Sequence, residues 1–169
     1  KGETGFPFLD ACMKFLKING WINFRMRAMI MSFASYNMWQ PWQKTSPLLA
    51  ELFTDYEPGI HISQVQMQSG VTGINLPRIY SIPKQSMDQD SSAEWIKSLL
   101  PQLNNVEPKL IHSAELNDAY LPQIVDLKVS AKFARDKVWG IRKSKEFKDE
   151  ARRVYIKHGS RRRRNVKTG

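Results

Sequence analysis

The chain has one cysteine, Cys12, three widely separated histidines (His61, His112 and His158), and no uncharged apolar run of membrane-spanning length. A lone cysteine excludes an internal disulfide, and with it any zinc or iron–sulfur site built from several cysteines of this chain. The histidines lack the spacing of a paired metal motif, and no glycine loop has the usual phosphate-cradling pattern. Cys12 falls on the apolar face of a candidate helix, where a free thiol reads as core rather than as a nucleophile. Hydrolase chemistry finds no support. The sequence starts at Lys1 without an initiator Met or a charged-then-apolar leader, so the expectation is a soluble, cytoplasmic piece of a longer protein with no membrane partner.

At 169 residues the chain can bury one hydrophobic core, with a tail. Its net charge of +10 is unevenly placed. Residues 1–126 hold 10 Lys or Arg against 12 Asp or Glu, and residues 127–169 hold 16 against 4. The sequence therefore divides into a near-neutral region, 1–126, and a basic extension of the same domain, 127–169, ending in the run Arg161 to Arg164. Two readings of that run stand side by side, a solvated helix pair with a frayed tail and a nucleic-acid-binding surface.

Helical punctuation dominates. Phe8, Leu9, Cys12, Met13 and Leu16 recur at helical spacing up to a stop at Asn19-Gly20. A second helix is expected from Asn23 to about Met38, apolar nearly all round and ended by Pro41. Ser46-Pro47 reads as an N-cap followed by proline at the first helical position, opening a short helix to about Phe53. Between Asp55 and Asp90, Pro58-Gly59, Ser69-Gly70, Gly73, Pro77 and Pro83 break the period, which predicts a long ordered loop. Ser91 and Glu94 have capping-box spacing ahead of Trp95, Ile96, Leu99 and Leu100. Ser130 to Arg142 and Ser144 to His158 read as two further helices, the second stopped by Gly159. The fold class is all-α, an irregular helical domain rather than a simple bundle.

The chemistry lies on and after the second helix, in Trp21, Arg25, Arg27, Trp39 and Trp42, followed by Asp55, Glu57 and His61. One reading is a core ion pair under aromatic packing. The other is a pocket for a flat, polar-edged cofactor, with aromatic walls, a guanidinium at a ring edge and carboxylates accepting N–H donors.

The order Thr4-Gly5-Phe6-Pro7-Phe8-Leu9-Asp10-Ala11-Cys12-Met13, Gly20-Trp21, Arg25-Met26-Arg27, Ser32-Phe33, Asp55-Tyr56-Glu57, Arg78-Ile79-Tyr80, Pro83, Trp95-Ile96 and Leu100-Pro101 resembles the flavin domain of DNA photolyases and cryptochromes, over roughly Thr4 to Leu103. The resemblance implies FAD as cofactor and damaged DNA as partner. It also implies an α/β antenna domain and flavin-phosphate-binding helices that are not in these 169 residues, so the isolated chain is expected to hold FAD weakly or not at all. By position, Arg27 and Asp55 match the ion pair beside the isoalloxazine ring, Trp21 and Phe24 stand along the flavin pocket, and Glu57 replaces an acceptor Asp. His61 takes the place facing flavin N5, commonly Asn in photolyases, and Trp42 matches the middle member of the tryptophan electron relay. Arg25 and Arg78 match contacts to the phosphates of damaged DNA, and Met67 replaces a larger residue of the lesion pocket.

Two further departures bear on activity. Val65 replaces the relay tryptophan nearest the flavin, which leaves Trp39 or Tyr36 as possible substitutes. Ala28 replaces a larger residue of the lesion pocket. Gln64, Gln66 and Gln68 fit either an exposed strand-like stretch or a loop ladder. The implied function is light-driven electron transfer from reduced flavin to a pyrimidine lesion; the alternative is a blue-light photoreceptor without repair.

Overall fold

The computed structural model describes residues 2–72 and 77–158, and within them every regular element is helical. In chain order these are α1 Pro7–Asn19, α2 Phe24–Ser32, a π-helical turn Phe33–Asn37, α3 Trp42–Ala50, α4 Pro58–Gln68, α5 Ile82–Gln89, α6 Glu94–Leu99, α7 Pro108–Ser113, α8 Leu127–Lys143 and α9 Lys145–His158. Short 3₁₀ turns lie at Pro101–Leu103 and Asn117–Ala119. The expected all-α class is therefore what is found. No helix among the described residues is long and apolar enough to cross a membrane.

The core is built around α1, which buries Phe8, Leu9, Ala11, Cys12 and Leu16. Its interior face meets α5, α6 and α7, with Trp95 edge-on to Phe8 and tilted against Phe15. The helix ends where expected: Gly20 adopts a left-handed conformation and its N–H closes on Leu16 O at 2.8 Å. Burial pushes the Cys12 thiol well above its usual range, and the nearby Asp10 carboxylate adds to the shift, so the thiol stays protonated.

Ahead of α1, the chain folds back over Asp10, which is itself buried. Its carboxylate accepts from Thr4 N at 2.8 Å, Thr4 Oγ1 at 2.8 Å, Gly5 N at 3.1 Å and Tyr120 Oη at 3.1 Å. Ile124 N donates to Thr4 O at 3.0 Å, so residues 4–10 and 120–124 form one clasp. Gly5 lies within it at φ +80°, where an added Cβ would come 2.4 Å from Pro122 O. As one of the four donors to this carboxylate, the Tyr120 phenol is held well above its ordinary pKa by burial and by the Asp10 charge.

Several sequence expectations need correction. The long loop from Asp55 to Asp90 is mostly helical, because Pro58 sits at the first position of α4 and Pro83 in the first turn of α5, where a missing N–H costs nothing. The three glutamines 64, 66 and 68 therefore lie on a helix, in neither of the conformations expected. The third helix starts at Trp42, with Pro41 rather than Ser46 as its cap and Pro47 inside it; the fixed φ of proline is helical, and one backbone hydrogen bond is forgone. Ser91 and Glu94 do not form a capping box. Ala93, left-handed at φ 58°, turns the chain so that Asp90 receives Trp95 N at 3.3 Å and Ile96 N at 2.9 Å. The second helix does not run to Met38 as one α-helix, since after Ser32 it widens into the π-turn, which ends at Asn37 with Met38 as its cap; Trp39 beyond it stands at φ 50°. The expected stop at Gly159, the run Arg161 to Arg164 and Gly73 lie outside the described residues.

Asp10→Ala strands four donors, and at about 1 kcal/mol each the expected loss is ~3–5 kcal/mol of unfolding free energy. Tyr120→Phe removes one donor and should cost only ~1 kcal/mol. Urea denaturation measures both, and equal losses would contradict the clasp.

Candidate functional site

The turn after α1 sets the site. Gly20, at φ +66°, lets Thr54 pack so closely that an added Cβ would lie 2.4 Å from its methyl group. Thr54 N and Oγ1 both donate to Gly20 O, at 2.8 and 3.1 Å. That contact brings the following residue, Asp55, to the start of α2. Asn23 caps α2 by accepting from Met26 N at 3.0 Å, which aims Arg27 inward.

Arg27 is fixed from three sides. Its Nε donates to Ile22 O at 2.7 Å, its Nη2 meets Asp55 Oδ2 at 2.9 Å, and the guanidinium lies 4.2 Å from the centroid of Phe53. The hydrogen bond from Arg27 holds the Asp55 carboxyl below the usual carboxylate range, against the opposing effect of burial. The pair sits at the edge of a cavity, with the aspartate half-exposed, rather than deep in the core.

The opposite wall is α4. Glu57 caps it, accepting from Gly59 N at 3.1 Å and Ile60 N at 2.6 Å. One turn on, His61 is buried with its ring edge-on to Phe53 and Tyr56. Its Nε2 lies 3.0 Å from Ser46 Oγ and 3.1 Å from Ser46 O. A carbonyl oxygen can only accept, so Nε2 carries a proton, and in the neutral ring Nδ1 is the acceptor. This contact also pins α4 to α3.

Between α2 and α4 lies a cavity of about 140 Å³ lined by apolar residues of both helices together with Arg27, Asp55, Glu57, His61, Gln64 and Gln68. Gln64 Oε1 is buried there without a hydrogen-bond partner among the described residues. A buried acceptor left open on an otherwise apolar wall suits a ligand with a flat apolar body and N–H groups at its edge. Whole ligand pockets usually measure ~300–1,000 Å³, so this one covers only part of such a ligand.

The sequence-derived candidates divide accordingly. Phe24, Arg27, Asp55, Glu57 and His61 line the cavity. Trp21 stands exposed just outside that lining, and Trp42 lines a neighbouring cavity of about 530 Å³, which shares Tyr56 with the first. Val65, expected from the resemblance to stand at the place of a relay tryptophan, is buried in the cavity wall. Arg25 is exposed on α2, Met67 is half-buried on α4, and Arg78 is exposed on an extended segment held by Ser32, whose hydroxyl donates to Arg78 O at 2.9 Å and accepts from Tyr80 N at 3.2 Å. Trp39 turns instead to Phe133 of α8, with ring centroids 5.1 Å apart. Tyr36 is buried with its hydroxyl unpartnered among the described residues, and burial pushes its pKa up to about 12 although Arg142 lies near enough to oppose the shift. Sequence reasoning missed the lining roles of Gln64 and Gln68 and the contact of Ser46 with His61. The glutamines' spacing of four was the available signal once α4 is known to be helical.

Comparison with known proteins finds similar chains. Residues 1–140 match the family model described as the FAD binding domain of DNA photolyase. A deoxyribodipyrimidine photo-lyase from Alkalihalophilus pseudofirmus is 32% identical over 114 residues, 66% of this chain and 24% of that protein. A chloroplastic/mitochondrial cryptochrome DASH from Solanum lycopersicum is 32% identical over 131 residues, 76% of this chain and 22% of that one. An archaeal photolyase from Sulfolobus tokodaii, solved with two FAD molecules, superposes with a TM-score of 0.76 at 26% identity, covering 82% of this chain and 33% of its own. The chain thus spans about a quarter of the length of the curated relatives it matches.

The lowered Asp55 pKa has a checkable sign. Its folded pKa lies below the unfolded value, so its stabilising contribution is complete above the ordinary ~3.9 and fades as the pH falls through the lower folded value. Asp55→Asn should therefore melt below the parent chain at pH 7, and the gap should close in acid, as thermal melts from pH 7 to pH 2.5 would register. A gap that widens in acid would refute the assignment.

Proposed function

The chain belongs to the family of FAD-binding domains of DNA photolyases, and from that premise we propose that it forms one wall of the flavin pocket in a protein that repairs pyrimidine lesions in DNA by light-driven electron transfer. The observation that carries the proposal is the cavity between α2 and α4, where a fixed guanidinium, two carboxylates and an open amide acceptor stand at the edges of an apolar wall. When bound, FAD supplies the light-absorbing redox centre.

The chain's own residues then have distinct parts. Arg27, held by Asp55 and Ile22 O, keeps a positive charge beside the ring, which favours the reduced, anionic form. Asp55, Glu57 and Gln64 supply acceptors for ring N–H groups, and Glu57 does so while capping α4. His61 presents a polar ring fixed by Ser46, Phe24 walls the aromatic face of the cavity, and the exposed Trp21, outside that lining, would close against the flavin once it is bound. Trp42, which lines the second cavity, would serve as the middle member of the relay that passes an electron to photoexcited flavin. Arg25 and Arg78 grip the DNA phosphates flanking the lesion, and Met67 borders the lesion pocket. In this reading residues 1–126 are the flavin-site region and 127–169 its basic extension. The antenna domain and the segments for the flavin phosphates come from the rest of the protein.

A second reading, a blue-light photoreceptor without repair, is favoured by two departures from the photolyase pattern. Val65 leaves no tryptophan at the cavity wall, and His61 stands where photolyases commonly carry Asn.

The test uses the longer protein carrying this chain, loaded with reduced FAD and illuminated with dimer-containing DNA. Restored pyrimidines support the repair reading. Reversible photoreduction without restored pyrimidines favours the receptor, and neither outcome with flavin unbound refutes both. The 169-residue chain alone should retain less than stoichiometric FAD through gel filtration; a stoichiometric yellow fraction would overturn the assignment of the phosphate-binding part to other segments.

A further inference from the structure

Helix α8 carries more than packing requires. At about 100° per residue, Lys128, Lys132, Arg135, Trp139 and Lys143 fall within an arc of roughly 80°. All five are exposed, while Ala134 on the other side of the helix is fully buried. The stripe is about 22 Å long, with a cation at nearly every turn. Asp136 stands at its edge as a single carboxylate against four cations, and none of the four has an ion-pair partner among the described residues.

The stripe borders a cleft. Between α8 and the extended segment around Arg78 lies a cavity of about 160 Å³ lined by Pro77, Ile79, Ala134, Arg135, Val138 and Trp139. The indole of Trp139 is half-exposed at its rim, with the Arg142 guanidinium 5.9 Å from the ring centroid. A cation and an aromatic plane thus meet in one recess, and further cations continue in line along the helix.

We propose that this face of α8 binds single-stranded nucleic acid, with its phosphates along Lys128, Lys132, Arg135 and Lys143 and an unpaired base in the cleft against Trp139. The charge complementarity is direct, and the pairing of a basic track with a stacking platform is what sequence-tolerant single-strand binding needs. An anionic membrane is the poorer fit. A membrane-surface helix turns a continuous apolar face outward, whereas here Phe133 is engaged by Trp39 and Trp139 is set beside a recess. The proposal goes beyond the flavin site, since it needs neither light, flavin nor a lesion.

The test is fluorescence anisotropy of a labelled, undamaged oligothymidylate of about 12 nucleotides, in the dark, with the full 169-residue chain. Four phosphate contacts predict that affinity falls about 50-fold from about 50 to about 200 mM salt. Lys132→Ala with Arg135→Ala should lower affinity at least about tenfold and roughly halve the slope of log affinity against log salt. Trp139→Ala should lower affinity about tenfold and leave that slope unchanged. Circular dichroism at 222 nm checks that the variants keep the helicity of the parent chain. Unchanged affinity and slope in the α8 variants would overturn the proposal, because binding would then come from elsewhere, such as the Arg161 to Arg164 run. Binding to phosphatidylserine vesicles without binding to the oligonucleotide would overturn it as well.

Discussion

The buried carboxylate of Asp10 is the constraint on which the architecture turns. It sits at the first turn of α1 with no ion-pair partner among the described residues, and its charge is met by two backbone N–H groups and two hydroxyls. Those donors come from residues 4–5 and from Tyr120, so one side chain joins the start of the chain to the segment that leads into α8. A buried anion tolerates no partial version of this arrangement, because every donor lost leaves charge unmet in a medium of low dielectric. The conformation of Gly5 and the position of residues 120–124 follow from it. So does the placement of α1, against which the helices behind the site are packed.

This casts the most recognisable stretch of the sequence in a different light. Thr4 to Asp10 opens the family resemblance, which runs on to about Leu103, yet no residue of this first stretch lines the cavity. The stretch builds the frame, and the chemistry begins at Gly20, whose close approach to Thr54 delivers Asp55 to Arg27. The two glycines act alike: each permits a backbone approach that a side chain would block, one for the frame and one for the ion pair.

Legibility differed by the kind of interaction. Local signals were sufficient where a structure closes on its own neighbours, as with the Gly20 stop. They misled where proline admits two meanings. Pro58 and Pro83 looked like breakers and are helix starts, and Pro47 looked like a start and lies inside a helix. Contacts between separate helices left no local trace. Nothing near Ser46 announces His61, and Gln64 and Gln68 acquire a shared face only once α4 is a helix. Trp39 is a similar case, since its left-handed backbone and its contact with Phe133 depend on a π-turn that no periodicity signals.

The state of Cys12 has a practical side. The chain's only thiol is wholly buried and held protonated, so it presents no thiolate to an alkylating reagent while the fold is intact. Any cysteine placed on the surface would be the single reactive handle in the molecule. Spin labels or fluorophores could then report on the spacing between α8 and the α2–α4 cavity without first removing a native residue from the core.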